Sequence, residues 1–453
     1  MESNPAFDLK SKQLIQDFLK DALKICDKNK SDLLRSDDLY PELDDGEYRR
    51  IITKSISHYD YFVETIISEK LEKLNSFQLL NLSLSEQPIK EYYQGFFNQK
   101  HIPIPNDLQE LTKIIPKNIL INYLSHQDSF EFSENSFNLI FREFNFFMKN
   151  PKSDEYVLPL YNFESNLKND SLKFGNITLR AITEYELKTI SKLNEKNEIS
   201  DLNKKLSYVL TIFLDSDNLS SGFEIAKNEF TYFLYALILN FPGILQIGTI
   251  YQNINFSWKS FEIGPKLNLN ESFFPLYFDK TDYNSLNSFY HLLKKSNLEN
   301  ESNEFLKMSI NRFQIGLNRE RVIDKIVDFC TSLESLYASG PGDITRKLSQ
   351  RCCMVISINE DEHEYYHDFI KKAYNFRSGL VHGEGNRKLN FDGKQLSVDE
   401  VSNILETVNR NSIKKFLKLI KFYSTKEKNK EIIQDIDSSL VNRKNYLLFK
   451  KRL

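Results

Sequence analysis

The chain has few of the features that several protein classes require. It contains four cysteines in 453 residues, Cys26, Cys330, Cys352 and Cys353, and no Cys-x-x-Cys pair. So few thiols exclude a disulfide-stabilised scaffold and predict reduced, mostly buried cysteines in a cytosolic protein. Glycine (14) and proline (12) are also scarce. This scarcity favours long helices around substantial cores.

Long apolar runs and an excess of one charge are absent as well. The best apolar run, 232–239, is eight residues long, whereas a bilayer-spanning helix needs about 20. The N-terminus has no basic and apolar leader, so we expect no secretory signal, no membrane association and a cytoplasmic location. The 60 Lys and Arg against 63 Asp and Glu exclude a wholly basic nucleic-acid-binding protein, although not a local basic patch.

Aromatic residues are plentiful, with 35 Phe and 23 Tyr, and the sequence pattern changes along the chain. Residues 1–150 are predicted to be helical. Residues 151–304 combine strand patterns at 156–161, 206–214 and 254–258 with helical patterns at 184–193 and 223–241, which predicts a mixed α/β domain. Residues 305–425 are predicted to form a helical bundle and 426–453 a basic C-terminal segment. The fold class is therefore mostly α with an α/β middle part.

The bundle has the clearest helix signals. One helix is expected over about 306–337, and Asp343 is expected to cap a second. A third begins at Glu360 in an acidic stretch, and a fourth begins at the capping-box spelling Ser397-Val398-Asp399-Glu400. Four helices joined by short loops predict a four-helix bundle.

Two ionisable residues occupy positions where the bundle pattern calls for apolar ones. Glu334 continues the apolar stripe of the first helix and Arg377 that of the third. A half-buried carboxylate and a half-buried guanidinium are each costly alone, so we expect them to meet across the bundle. An ion pair that only fixes the helix register is the alternative.

Arg377 is followed five residues later by His382, in the sequence Tyr374-Asn375-Phe376-Arg377-Ser378-Gly379-Leu380-Val381-His382. In RNA cleavage without a metal, the 2′-hydroxyl loses a proton and attacks phosphorus while the 5′-oxygen leaves. His382 could act as general base or acid, and Arg377 could stabilise charge on the phosphate. On an ideal helix the two side chains diverge by about 140°. They converge only if the helix ends or distorts near Gly379, or if a second subunit supplies another copy.

Residues 310–385 resemble the HEPN family, specifically its Apea-like branch. The family motif is an Arg, four to six residues and a His near the end of a bundle helix. Ser378 stands where many members have Asn, Asp or His, as is typical of this branch. The upstream elements that agree are Arg312-Phe313, Arg319, Leu333-Glu334-Ser335-Leu336, and Arg346 with Arg351.

The resemblance implies a metal-independent endoribonuclease in antiphage or CRISPR-type defence, acting as a toxin in abortive infection and needing no cofactor. Arg377 and His382 would be catalytic, with Glu334, Ser378, Tyr374, Arg312 and Arg319 in support. Two HEPN domains would share one cleft, so we expect a homodimer. The substrate would be RNA, in single-stranded regions or tRNA loops, and a phage-derived or defence-system protein would be the trigger. The mixed α/β domain, 151–304, would be a sensor or regulatory domain. A catalytically inactive HEPN module that binds RNA or a protein partner is the alternative.

Residues 401–453 carry 13 Lys and Arg against 5 Asp and Glu, a basic surface that suits a phosphate backbone. Lys414, Lys415 and Lys418 are the candidates for RNA binding, and an ordinary solvated helix face plus a tail is the alternative.

A competing motif, His363-Glu364-Tyr365-Tyr366-His367, has the H-E-x-x-H spacing of zinc peptidases. It lies in an acidic, polar helix start, and no further motif clearly supplies a third ligand. A zinc metallopeptidase is therefore the less favoured hypothesis, and a surface coincidence is favoured.

Overall fold

The computed structural model describes residues 5–33, 58–85, 112–127, 129–149, 153–168, 170–195, 206–215, 219–247, 249–254, 257–262, 274–340, 342–381 and 388–453. These residues are mostly helical with a smaller antiparallel sheet. The chain divides into two compact units. The first comprises Met1–Tyr161, Leu167–Phe230 and Ile247–Leu269, and the second comprises Asn162–Asn166, Thr231–Gln246 and Asn270–Leu453. In the described residues, no helix combines the length and the apolar character that crossing a membrane requires.

Helices of the first unit pack around an aromatic core. They are α1 (Pro5–Lys28), α2 (His58–Tyr61), α3 (Ser68–Glu72), α4 (Asn75–Ser85), α5 (Ile114–Gln127) and α6 (Glu134–Lys149). Phe18, Phe77, Tyr123 and Phe137 are almost completely buried in one cluster with Leu and Ile side chains. The predicted helical character holds for the described part of this region.

The first unit also contains an antiparallel sheet, and the second unit a short parallel pair. The strands are β1 (Ser153–Tyr161), β2 (Phe163–Ser165), β3 (Ser171–Phe174), β4 (Ile177–Ala181), β5 (Tyr208–Asp215), β6 (Gln246–Ile247), β7 (Thr249–Ile254), β8 (Ser257–Glu262) and β9 (Leu276–Phe278). The sheet order is β3-β4-β5-β1-β7-β8, and β2 pairs with β9. Helix α7 (Glu184–Glu195) contributes Ile190 to the core beside Val157 and Val209.

Two strand predictions are confirmed and one is wrong. The patterns at 156–161 and 206–214 fall on β1 and β5, which pair with each other. The pattern at 254–258 instead covers the end of β7 and the start of β8, where Ile254 pairs with Ser257. The apolar residues there belong to two strands of one antiparallel pair. Helix α8 (Leu219–Asn240) matches the predicted helix, and its apolar run is buried.

Five helices form the bundle in the described part of the second unit. They are α10 (Glu304–Leu317), α11 (Val322–Tyr337), α12 (Ile344–Ile356), α13 (Glu360–Val381) and α14 (Val398–Leu419); α9 (Tyr283–Ser296) precedes them and packs on α14. Strands β10 (Leu389–Phe391) and β11 (Lys394–Leu396) form a hairpin between α13 and α14. Helix α11 contacts each of the other four bundle helices, so its side chains lie at the centre of the bundle.

The single helix predicted over 306–337 is wrong, because the chain breaks between α10 and α11. The Asn318 N–H caps α10 by bonding carbonyls of its last turn, and Arg321 has extended backbone. The break lets α11 fold back against α10 with the Phe329 ring on Gly316, where a Cβ would lie 2.7 Å from a ring carbon. Folding back buries the apolar faces of both helices. The apolar period alone does not reveal this break.

The predicted helix starts are confirmed. The Asp343 side chain accepts hydrogen bonds from the Thr345 and Arg346 N–H groups. Ser397 and Glu400 make the reciprocal bonds of a capping box. Both devices satisfy backbone donors that the helix itself leaves unpaired.

The predicted basic C-terminal segment, 426–453, contains two helices, α15 (Lys428–Val441) and α16 (Arg443–Lys450). Helix α15 packs on α12, with Ile432 and Ile436 fully buried. Its apolar residues at i and i+4 form the buried stripe. This packing makes the C-terminal helices part of the second unit.

Candidate functional site

The candidate site lies where α11 and α13 pack together. Arg377 Nη2 is 4.0 Å from Glu334 Oε1, and the two side chains are 25% and 26% exposed. The predicted meeting of these two half-buried groups is confirmed. A separation of 4.0 Å is an electrostatic contact and not a hydrogen bond, so Glu334 attracts the guanidinium without occupying its donors.

Tyr374 provides the hydrogen bond that Glu334 receives. Its hydroxyl donates to Glu334 Oε1 over 2.7 Å, and the Arg377 guanidinium carbon lies 5.7 Å from the centre of the Tyr374 ring. Tyr374 and Arg377 are three residues apart on one helix and therefore share a face. Burial and the hydrogen bond to the Glu334 carboxylate raise the pKa of the Tyr374 hydroxyl, which therefore stays protonated as the donor.

Cys330 lies one turn before Glu334 on the same helix and is 2% exposed. Burial raises the pKa of its thiol to about 12, although the positive charge of Arg377 acts in the opposite direction. A buried thiol in this protonation state is not a nucleophile at neutral pH. Cys330 therefore contributes packing beside the charged groups.

His382 lies outside the described residues, but the helix that precedes it is described. Helix α13 continues without a break through Gly379 to Val381. The described helix is therefore regular at Gly379 itself. Ser378, the residue after Arg377, is exposed on this helix.

Arg312 and Arg319 do not join Glu334 or Arg377 in the described structure. Arg312 Nη1 lies 3.3 Å from Asp328 Oδ1, and Arg319 Nε donates to Asp328 Oδ2 over 2.7 Å. Asp328 is buried on the side of α11 that faces α10. The supporting residues proposed from the sequence therefore fall into two groups, one on α11 and α13 and one on α10 and the turn after it.

The three lysines proposed for RNA binding are on α14. Lys415 and Lys418 contact the main-chain oxygen of Leu453 at 3.3 and 3.4 Å. The Lys414 ammonium lies 5.9 Å from the ring centre of Phe289. Burial lowers the pKa of Lys414 and of Lys415. Lys418 is the most exposed of the three, and their role in RNA binding stays a prediction.

The H-E-x-x-H motif occupies the first two turns of α13. His363 Nε2 lies 3.2 Å from the buried Cys353 thiol, and burial lowers the pKa of the imidazole. Glu364 is exposed. The described residues hold no group of three His, Cys, Asp or Glu side chains that could bind a metal ion. The first histidine of the motif is therefore packed against the bundle interior.

Asp328 is the site residue that sequence reasoning missed. It is 4% exposed and carries the contacts of both Arg312 and Arg319. The signal was present in Ile326-Val327-Asp328-Phe329-Cys330, where one carboxylate interrupts an apolar helical stretch. A carboxylate in that position needs a cationic partner.

Comparisons with protein-family models, with curated proteins and with solved structures found no match to this chain. What the site can do chemically is therefore argued from its geometry. A guanidinium held by an electrostatic contact with a carboxylate, and partly open to solvent, can bind an oxyanion such as a phosphate.

Proposed function

We propose that this chain is a metal-independent endoribonuclease of the HEPN type, with Arg377 and His382 acting on the phosphodiester of RNA. The observation that supports the proposal most is the contact of Arg377, which precedes His382 by five residues in the sequence, with Glu334 and Tyr374. Tyr374 holds the carboxylate, and the carboxylate holds the guanidinium at 4.0 Å. The guanidinium is thus kept in place while donors stay free for a phosphate oxygen.

The chemistry assigns a separate task to each residue. His382 would take the proton from the 2′-hydroxyl, or give one to the leaving 5′-oxygen, because imidazole titrates near neutral pH. Arg377 would stabilise the negative charge that develops on the phosphate oxygens. The 2′-oxygen–phosphorus bond forms as the phosphorus–5′-oxygen bond breaks. The products are a 2′,3′-cyclic phosphate and a 5′-hydroxyl.

The number of groups that the reaction needs supports a site shared by two copies of the chain. Cleavage needs proton removal, charge stabilisation and protonation of the leaving group, which is more than one Arg and one His supply. We therefore propose a homodimer in which the end of α13 from each subunit faces one cleft. The first unit would respond to a protein trigger and control this cleft.

Cleavage of total RNA by the full chain tests the proposal. The wild type should produce 2′,3′-cyclic phosphate ends in the presence of EDTA, mapped by sequencing, because side chains alone carry the chemistry. Arg377→Ala and His382→Ala should abolish these ends. Asn375→Ala is the matched control, since this residue is exposed on the same helix and outside the proposed site.

Three outcomes would contradict the proposal. Unchanged cleavage by His382→Ala would remove this residue from the reaction. Strict dependence on added zinc, lost in His363→Ala, would support the metallopeptidase-type motif instead. RNA binding by the wild type without cleavage under any condition would favour the inactive RNA-binding module.

A further inference from the structure

A buried carboxylate anchors two exposed arginines on the bundle. The Asp328 side chain is 5% exposed, whereas Arg312 and Arg319 are 45% and 47% exposed. Each oxygen of the carboxylate contacts a different guanidinium, Oδ1 with Arg312 and Oδ2 with Arg319. Because both contacts belong to one carboxylate, the two guanidinium groups lie close together at the surface.

The contacts of these arginines leave most of their donors available. A guanidinium carries five N–H donors in a planar fork. Within the described residues, Arg312 reaches Asp328 through Nη1 and Arg319 through Nε. One buried carboxylate contacts both cations, and Asp324 attracts Arg319 more weakly. A single arginine would be enough to neutralise Asp328.

An exposed apolar side chain lies beside Arg312. Ile315 is three residues after Arg312 on α10 and is 42% exposed. The two residues therefore share one face of the helix. Two fixed cations with an apolar contact beside one of them suit a nucleic-acid strand, whose phosphates carry charge and whose sugars are less polar.

We propose that Arg312 and Arg319 form a phosphate-binding site for the RNA backbone, separate from the cleavage site at Arg377. This inference rests on the proposed ribonuclease function, because it names the part of the same substrate that binds here. Asp328 is the positioning residue, since it holds both guanidinium forks without touching the RNA. Backbone contacts of this kind position a strand and do not read its sequence.

Equilibrium binding of a strand that cannot be cut tests the site independently of cleavage. The probe is a fluorescein-labelled, single-stranded 2′-O-methyl oligoribonucleotide of mixed sequence, titrated with the full chain over a range of salt concentrations. Arg312→Gln and Arg319→Gln should each weaken binding. Each should also lower the slope of log affinity against log salt by about 0.7, the contribution of one phosphate contact to a single strand.

Two further variants distinguish a phosphate site from general damage. Arg312→Lys keeps the charge and should keep the salt slope, while losing affinity because the planar fork is gone. Lys188→Gln is the matched control, because Lys188 is 46% exposed and pairs with Glu184 in the first unit. It should leave affinity and slope unchanged. If Arg319→Gln does not fold, Arg312→Gln alone tests the site. Arg312 is the safer residue to replace, because its contact with Asp328 is the longer one, 3.3 Å against 2.7 Å.

The outcomes separate this inference from the nuclease proposal. Unchanged affinity and salt slope in folded Arg312→Gln, or absence of strand binding by the wild type, overturns the phosphate site. Cleavage that persists in that case leaves the nuclease proposal standing. Conversely, weakened binding in both arginine variants supports the phosphate site even if no variant, including the wild type, cleaves RNA.

Discussion

Arg351 ties three parts of the second unit together, and replacing it should destabilise that unit strongly. Its side chain is 8% exposed and forms a two-point contact with Asp437 on α15, through Nε and Nη2, both at 2.8 Å. Nη1 donates to the main-chain oxygens of Tyr337 and Ser339, at 2.6 and 2.9 Å. Arg351 thus satisfies the carbonyl end of α11 and holds the C-terminal helices on α12.

The expected cost of Arg351→Met follows from these contacts. Methionine keeps much of the aliphatic volume, so the loss is mainly of four hydrogen bonds, two of which form the ion pair with Asp437. Removing one partner of a buried ion pair costs about 3–5 kcal/mol. Asp437 is 47% exposed and can be hydrated after the change, so we expect about 3 kcal/mol, the lower end of that range. Arg351→Lys keeps the charge and should lose about half as much, since lysine cannot make the two-point contact.

Urea unfolding followed by circular dichroism measures the change in the free energy of unfolding. Amide hydrogen exchange then shows which helices lose stability, because Arg351→Met should speed exchange in α12 and α15. Arg346→Met is the matched control, being an exposed arginine on the same helix, and should cost less than about 0.5 kcal/mol. Equal stability of Arg351→Met and Arg346→Met, with unchanged exchange in α15, would refute the proposed role of this contact.

Three other predictions concern the candidate site, the first unit and assembly. Tyr374→Phe removes the donor to Glu334 and should lower the free energy of unfolding by about 1 kcal/mol, measured in urea; no loss would mean that the hydrogen bond is not formed in solution. Burial and repulsion by Glu186 raise the pKa of Glu155 to about 7, so its contribution to stability is complete below the unfolded pKa and is lost as the pH rises through about 7. The melting temperature measured as a function of pH should show this loss, and the loss should be smaller in Glu155→Gln. Sedimentation at micromolar concentration should show a homodimer, and a strict monomer that cleaves RNA would contradict the composite site at Arg377.

The pH prediction depends on groups that surround Glu155 from several elements. Arg180 Nη2 lies 3.2 Å from its carboxylate and opposes the shift of its pKa. Burial and repulsion by Glu186 raise the pKa of Glu155, and a hydrogen bond from Asn253 opposes the shift. Burial and repulsion by Glu155 and Glu186 likewise raise the pKa of Glu143 to about 8. Because the folded state holds the proton more tightly than the unfolded chain does, folding is favoured on the acidic side of this transition.

Local signals in the sequence determined the helix starts and the central charged pair. Asp343 and the Ser397–Glu400 box cap helices because their side chains bond backbone donors a few residues away. Such bonds are local and can be read from spacing. Glu334 and Arg377 could be paired for a different reason. Each is a charge on an apolar helix stripe, and opposite charges that are half buried must find each other.

Tertiary packing decided what these local signals could not. The break between α10 and α11 lets the Phe329 ring pack on Gly316, a contact between helices that the apolar period does not encode. Likewise, Arg351 pairs with Asp437, 86 residues away in the sequence. Asp328 pairs with both Arg312 and Arg319. Helical spacing specifies which face a side chain occupies, but only the packed bundle determines which partner lies opposite that face.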